Sequence, residues 1–203
     1  KALHSFNFIS VRENTAKLLL KKLFNVESKV VLDPTLLHED YKEITNTITP
    51  NNSFICYLLN KTNKQLEKTR MLASIFKKKP QMISTIRPIK GFKYTYPPSI
   101  ENWINYIAGA DFVVTDSFHG VAFSIIYRKN FVVISPENGK NSRITNLLSL
   151  LGLNSRYFNE NEDIPYNEIY HTHIDYDKVN YILNKEREYS LTFLKTALNN
   201  GIK

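Results

Sequence analysis

The chain reads as an α/β protein built on a parallel sheet with helices on both faces, and three observations predict this. Short apolar runs alternate with amphipathic helical patterns along most of the sequence. The apolar runs lack strict polar alternation, as expected of strands buried on both sides. The loops that follow several strands are polar, where such sheets place their ligands.

The elements follow in order. Phe6 to Val11 is a candidate strand. Ala16, Leu19, Leu20, Leu23 and Phe24 then recur at the spacing of one helical face. Lys29 to Leu32 is a strand stopped by Asp33-Pro34, and Phe54 to Leu59 is a third, with Asn63 to Phe76 helical after it. Gln81 to Ile86 is a strand ending before Pro88. Ser99 is placed to cap a helix whose face is Ile100, Trp103, Ile104, Ile107 and Ala108, ended by Gly109. Phe112 to Thr115 is a strand, Val121 to Tyr127 a short helix apolar nearly all round, and Phe131 to Ile134 another strand. Asn141-Ser142 can cap a helix with the stripe Ile144, Leu147, Leu148 and Leu151, stopped by Gly152. Tyr176 to Leu198 is one long amphipathic helix.

At 203 residues, 42% hydrophobic and 23% charged, the composition is that of an ordinary globular protein able to bury a core. No apolar run approaches the roughly 18 residues of a membrane span. The opening at Lys1, with a core-like strand soon after, is read as the start of a fragment of a longer protein. The single cysteine, Cys56, sits in an apolar run and is expected in the core. The net charge of +8 is scattered apart from Lys77-Lys78-Lys79 and Lys21-Lys22, and the aromatics lie within apolar runs. That argues against a nucleic-acid binder and for solubility, anionic small substrates or an anionic membrane surface.

Three polar turns at strand ends are candidate sites: Ser10 to Glu13, Thr115 to Gly120, and Ser135 to Arg143. Thr115-Asp116-Ser117-Phe118-His119-Gly120 is the richest. Gly120 allows close backbone approach, the following helix offers N–H groups to an anion, and His119 can bind an anion or move a proton. The same residues also fit a plain helix cap, with Asp116 fastening the turn. Arg12 suits an anion clamp or a surface pair with Glu13, and Arg143 suits the same cleft or a solvated helical turn. His171 and His173 share a face if extended, but nothing completes a metal set, so a surface strand is expected. The six glycines form no dinucleotide or P-loop fingerprint, and Ser117 lacks a hydrolase elbow.

The ordered set Phe8-Ile9-Ser10-Val11-Arg12-Glu13, Val31-Leu32-Asp33-Pro34-Thr35, Val114-Thr115-Asp116-Ser117-Phe118-His119-Gly120, Phe123-Ser124-Ile125-Ile126 and Leu151-Gly152-Leu153 resembles the C-terminal half of polysaccharide pyruvyltransferases. The likeness extends to the last helix. It implies a Rossmann-like domain, one half of a glycosyltransferase-B (GT-B) architecture, with residues 1–203 as a single C-terminal domain of a two-domain protein and 175–198 as its terminal helix. It implies transfer of a pyruvyl group from phosphoenolpyruvate to a sugar hydroxyl as a ketal, with no metal or organic cofactor. By the resemblance His119 is the acid or phosphate contact and Arg12 holds the donor. Ser117, Phe118, Gly120, Ser142 and Arg143 are expected at the substrate. Some members carry Arg-Leu-His-Gly where this chain has Ser117-Phe118-His119-Gly120, so the missing cation falls to Arg143 or Lys140, or the donor differs. The implied partners are a saccharide or lipid-linked saccharide acceptor and a missing N-terminal domain. The implied location is the cytoplasm, near the inner membrane face. A nucleotide-sugar transferase and a non-catalytic sugar-binding domain are the rival readings.

Overall fold

The computed structural model describes residues 2–45, 50–84, 87–95, 98–139 and 141–201. In chain order the elements are β1 (Ser10–Val11), α1 (Asn14–Phe24), β2 (Lys29–Val30), β3 (Phe54–Tyr57), α2 (Asn63–Ile75), β4 (Pro80–Met82) and β5 (Lys93–Tyr94). They continue as α3 (Ile100–Ala108), β6 (Phe112–Thr115), α4 (Phe118–Ile126), β7 (Asn130–Ser135), α5 (Ser142–Leu150), β8 (Tyr157–Asn159), α6 (Tyr166–His171) and α7 (Tyr176–Gly201). These residues form two compact units: 1–39, 142–152 and 176–203 make one, and 40–141 with 153–175 the other.

The larger unit holds a six-stranded, wholly parallel sheet in the order β5-β4-β3-β6-β7-β8. Alternation along the strands explains why both faces need cover. Phe54 and Cys56 of β3, Phe112 and Val114 of β6, and Val132 and Ile134 of β7 point one way, into a cluster with Leu66, Leu72 and Ala73 of α2 and Ile169 of α6. Phe54 stacks on its register partner Phe112, with ring centroids 5.3 Å apart, and Phe76 packs against both. The alternate residues Ile55, Val113, Phe131 and Val133 are equally inaccessible, and α4 packs against β6, β7 and α3. The fold is the predicted parallel sheet with helices on both faces. Cys56 is buried, which pushes its thiol well above the ordinary range and leaves it an inert core residue.

The order in which strands are added reverses at the sheet centre. From β3 the chain builds outward through β4 to β5, returns to place β6 on the other side of β3, and continues to β7 and β8. The carboxyl ends of β3 and β6, where Tyr57 is in register with Thr115, therefore flank the switch point of the topology.

The smaller unit carries the parallel pair β1–β2, in register Ser10↔Lys29, with α1, α5 and α7. The terminal helix α7 is tied to the segment after β2. Ser190 Oγ accepts from the Leu32 N–H at 3.0 Å, and the Arg187 guanidinium donates to the carbonyls of Leu36 and His38. Two expectations change here. Phe6 to Val11 was expected to be a core-like strand, but only Ser10 and Val11 pair, and Phe6 is 63% exposed. The apolar face of α1 forms at the expected spacing yet buries nothing, with Leu19, Leu23 and Phe24 all at least half exposed. Two strands of two residues each offer too little sheet to cover a helix.

Smaller differences have local causes. The helix expected from Val121 begins at Phe118, so His119 and Gly120 lie inside its first turn. Ser99 caps α3 as expected, accepting from the Asn102 N–H at 3.3 Å. Asn141 instead donates to Ser135 Oγ at 2.5 Å. The strand expected at Gln81 to Ile86 is Pro80–Met82, and Thr85 and Ile86 lie outside the described residues. His171 ends α6 and His173 Nδ1 pairs with the Asn130 amide, so this segment is a helix end and loop and not a surface strand. Short β5, β8 and α6 carried no readable period.

In the smaller unit Arg12 Nη1 donates to Asp33 Oδ2 at 2.5 Å, and the Thr35 N–H donates to Oδ1 at 3.0 Å. Burial pushes the Asp33 carboxyl up, but the Thr35 and Arg12 bonds outweigh it and hold the carboxyl below its ordinary value. A depressed folded value means stability present above the unfolded value of about 3.9 and lost as pH falls through the folded one. Thermal melts between pH 7 and pH 3 should therefore show an acid-side loss that is shallower in Asp33→Asn, with the variant less stable at pH 7.

Candidate functional site at the sheet switch point

The site grows out of Asp116, the first residue past β6. Its side chain is buried and accepts four hydrogen bonds: Leu59 N–H at 2.7 Å, Asn60 N–H at 3.1 Å, Asn60 Nδ2 at 2.7 Å and Gln65 Nε2 at 3.1 Å. The loop after β3 is thus fastened to the turn after β6. Gln65 also donates to the Ile134 carbonyl at 2.7 Å, tying β7 to the same knot. Thr62 and Gln65 form a capping box that starts α2 at this point. Glu160, beyond β8, accepts from the Glu137 N–H at 2.9 Å and from the Thr62 hydroxyl, holding the loop after β7.

Thr115 sets the next step. Its hydroxyl donates to the Tyr57 carbonyl at 2.8 Å and accepts from the Ser117 N–H at 3.0 Å. Helix α4 then starts hard against this side chain. A Cβ on Gly120 would stand 2.9 Å from Thr115 Cβ and nearer still to its hydroxyl, so glycine here serves the approach of helix to strand. Gly120→Ala should cost about 1–3 kcal/mol, as overpacking does. Chemical denaturation checks it, and pairing the change with Thr115→Ala should recover part of the loss.

Ser117 begins α4 without a side-chain cap bond, so its hydroxyl does not compete for the first-turn N–H groups. The Ser117 and Phe118 side chains are buried, whereas His119 is exposed. Among the described residues the His119 imidazole has only an edge contact with the Phe118 ring, 5.6 Å between centroids. Both ring nitrogens are available to a ligand.

His119 lines a cavity of about 590 Å³ together with Tyr57, Ile83, Trp103, Ile104 and Phe123. That size falls within the range of small-molecule sites. Trp103 meets Tyr57 and Phe123 edge to face, each at 5.0 Å between centroids. Burial, and then the nearby Asp116 charge, push the Tyr57 hydroxyl above its ordinary value and keep it protonated.

Of the residues singled out in sequence, Ser117, Phe118, His119 and Gly120 come together here. Arg12, Ser142 and Arg143 belong to the smaller unit: Arg12 is engaged by Asp33, Arg143 is exposed, and the Ser142 carbonyl accepts from Asn146. Lys140 lies outside the described residues. Sequence reasoning missed the aromatic wall. Trp103 and Phe123 read as core on helical faces, and only the position of Tyr57 at the end of a central strand pointed to the cleft. Among the described residues no group of three or more potential metal ligands converges, and no helix is long and apolar enough to cross a membrane.

Comparison with known proteins bears on this geometry. No curated protein matches the chain. Among solved structures, the Methanocaldococcus jannaschii UDP-GlcNAc 2-epimerase, in complex with UDP-GlcNAc and UDP, superposes with a TM-score of 0.53 at 12% identity, over 89% of this chain and 55% of that one. The glycotransferase of kitacinnamycin gives 0.52 at 10% identity, over 89% and 59%. The chain thus spans little more than half the length of these structures, whose likeness is one of fold, that of GT-B glycosyltransferases and epimerases. The polysaccharide pyruvyl transferase family model matches residues 1–138, from the first described elements through β7 and including the whole His119 turn, and the chain belongs to that family.

Proposed function

We propose that the chain takes part in moving a pyruvyl group from phosphoenolpyruvate onto two hydroxyls of a saccharide, forming a ketal and releasing phosphate during cell-surface polysaccharide synthesis. The observation that carries this reading is His119, exposed in the first turn of α4 at the switch point of the sheet and making no hydrogen bond among the described residues. The chemistry asks for an acid and an anion clamp. One acceptor hydroxyl adds to C2 of the enol and gives up its proton while C3 takes one, with positive charge developing at C2 on the way. The C2–O bond to phosphate then breaks, and a second hydroxyl adds with loss of its proton. His119 serves as the proton donor to C3 or as the contact for the departing phosphate, and the first-turn N–H groups of α4 favour an anion beside it.

Arg12 is the proposed clamp on the donor's carboxylate or phosphate. Its bond to Asp33 through Nη1 orients the guanidinium and leaves its other N–H donors for a bidentate contact. Ser142 and Arg143 are the further proposed donor contacts, and no metal or organic cofactor enters the scheme. A preceding half of the same protein is proposed to complete the enzyme, supported by the uncovered apolar face of α1. A lipid-linked acceptor would place the work in the cytoplasm at the inner membrane face.

The test uses the full-length protein with phosphoenolpyruvate and a panel of lipid-linked and free oligosaccharides. Stoichiometric phosphate release with a pyruvate ketal methyl signal in the product is expected. Transfer from a nucleotide sugar, with phosphoenolpyruvate untouched, would overturn the reading.

A further inference from the structure

The cavity beside His119 has the wrong chemistry for the donor. Phosphoenolpyruvate carries a phosphate and a carboxylate, and burying them without cations is costly. Among the described residues lining the cavity there is no lysine, arginine, aspartate or glutamate. The wall is instead aromatic and aliphatic, with Tyr57, Trp103 and Phe123 as its rings. At about 590 Å³ the space also exceeds the needs of so small a donor.

Apart from His119, the polar groups of the cavity are hydroxyls. Tyr57 keeps its phenolic proton. Ser84 donates its hydroxyl to the Leu58 carbonyl at 2.6 Å, which leaves its oxygen free to accept. The Trp103 indole N–H is shielded from solvent, with no acceptor among the described residues, so that residue offers the cavity its ring and not its donor. A hydrocarbon tail would use none of these groups. An uncharged ring with C–H faces and a rim of hydroxyls uses the Tyr57 and Ser84 hydroxyls with its rim and the Trp103 and Phe123 rings with its faces.

We infer that the aromatic cavity formed by Tyr57, Trp103 and Phe123 beside His119 is the acceptor subsite and receives the uncharged hexopyranose ring that is to be modified. The inference rests on the proposed function and deepens it. His119 then stands at the boundary between ring and donor, with the first turn of α4 on the donor side. The acceptor hydroxyls are brought to the unit that carries the histidine, and do not depend on a separate half for their first contacts.

Trp103 is the only tryptophan of the chain, so its fluorescence reports on this cavity alone. The 203-residue chain is titrated with methyl glucoside, galactoside and mannoside (methyl hexopyranosides), and separately with phosphoenolpyruvate and UDP. Saturable quenching by at least one hexopyranoside is expected, weakened about fivefold or more in Tyr57→Phe, with the phosphoenolpyruvate response absent or much smaller. A response to UDP or phosphoenolpyruvate with none to any sugar would overturn the assignment, as would silence to all. In the full-length protein Phe123→Leu should raise the acceptor KM about tenfold and leave the phosphoenolpyruvate KM within twofold. The reverse pattern would also overturn it. Failure of pyruvyl transfer with sugar quenching intact would instead remove the proposed reaction and keep the sugar site.

Discussion

Asp116→Ala should lose about 2–4 kcal/mol of stability, because it strips the acceptor from four donors at once, one of them on the fully buried Gln65. The carboxylate is 5% exposed, and the Leu59 and Asn60 N–H groups, the Asn60 amide and Gln65 Nε2 all end on it. Removing a partner from a buried bond costs more than the bond contributes, and here Gln65 Nε2 keeps its desolvation penalty while the donors of the exposed Leu59 and Asn60 can turn to water. Urea unfolding followed by circular dichroism should show a lower midpoint with the slope unchanged. Asp116→Asn should fall between the two, since its carbonyl oxygen can still accept while its NH2 faces former donors. A midpoint equal to that of the wild type would mean that the loop after β3 is held by something else. The change should also disturb the site, because the same carboxylate binds the two strand ends that flank it.

The sheet and its helices were legible because their physics is local. Phe54-Ile55-Cys56 and Phe112-Val113-Val114 are buried on both faces, so the chain has no polar alternation to hide them. The spacing of Ile100, Ile104, Ile107 and Ala108, with Ser99 before and Gly109 after, marks α3 by period and cap together. The turn from Thr115 to Gly120 was also visible, as polar residues between two apolar elements. What the residues did not reveal depends on pairing at a distance. Asp116 meets Leu59, Asn60 and Gln65 more than fifty positions away, and Gly120 lets α4 stand hard against Thr115. Trp103 and Phe123 obey the helical period, yet the cavity takes one side of their rings, and no pattern separates a core ring from a cleft ring. Arg12 and Glu13 are neighbours in sequence, but the guanidinium turns to Asp33, twenty-one positions on. The apolar period of α1 predicted a buried face correctly as chemistry, and the cover it calls for is not supplied within its own unit.

His119→Gln should lower kcat for pyruvyl transfer by about 10²–10⁴-fold, the range of a positioned acid, with little change in stability. The side chain is exposed and makes no hydrogen bond within the described structure, so its replacement should shift the unfolding free energy by no more than about 0.5 kcal/mol. That separation matters, because loss of activity through unfolding is what Asp116→Ala predicts. Glutamine keeps a donor near the position of the imidazole but cannot give up a proton and take it back. If His119 protonates C3, the variant should lose the limb of the pH–rate profile that reports this proton, with the KM for phosphoenolpyruvate nearly unchanged. If it holds the departing phosphate instead, the KM for phosphoenolpyruvate should rise, since the glutamine amide places its donor differently from the imidazole nitrogens. Carrying out the reaction in deuterated water adds a direct check. The wild type should place one solvent deuteron in the ketal methyl group, because C3 of the enol gains its third hydrogen from the catalytic acid. A variant turning over at the wild-type rate, with the same pH profile, would take His119 out of the chemistry and leave it a residue of the helix start.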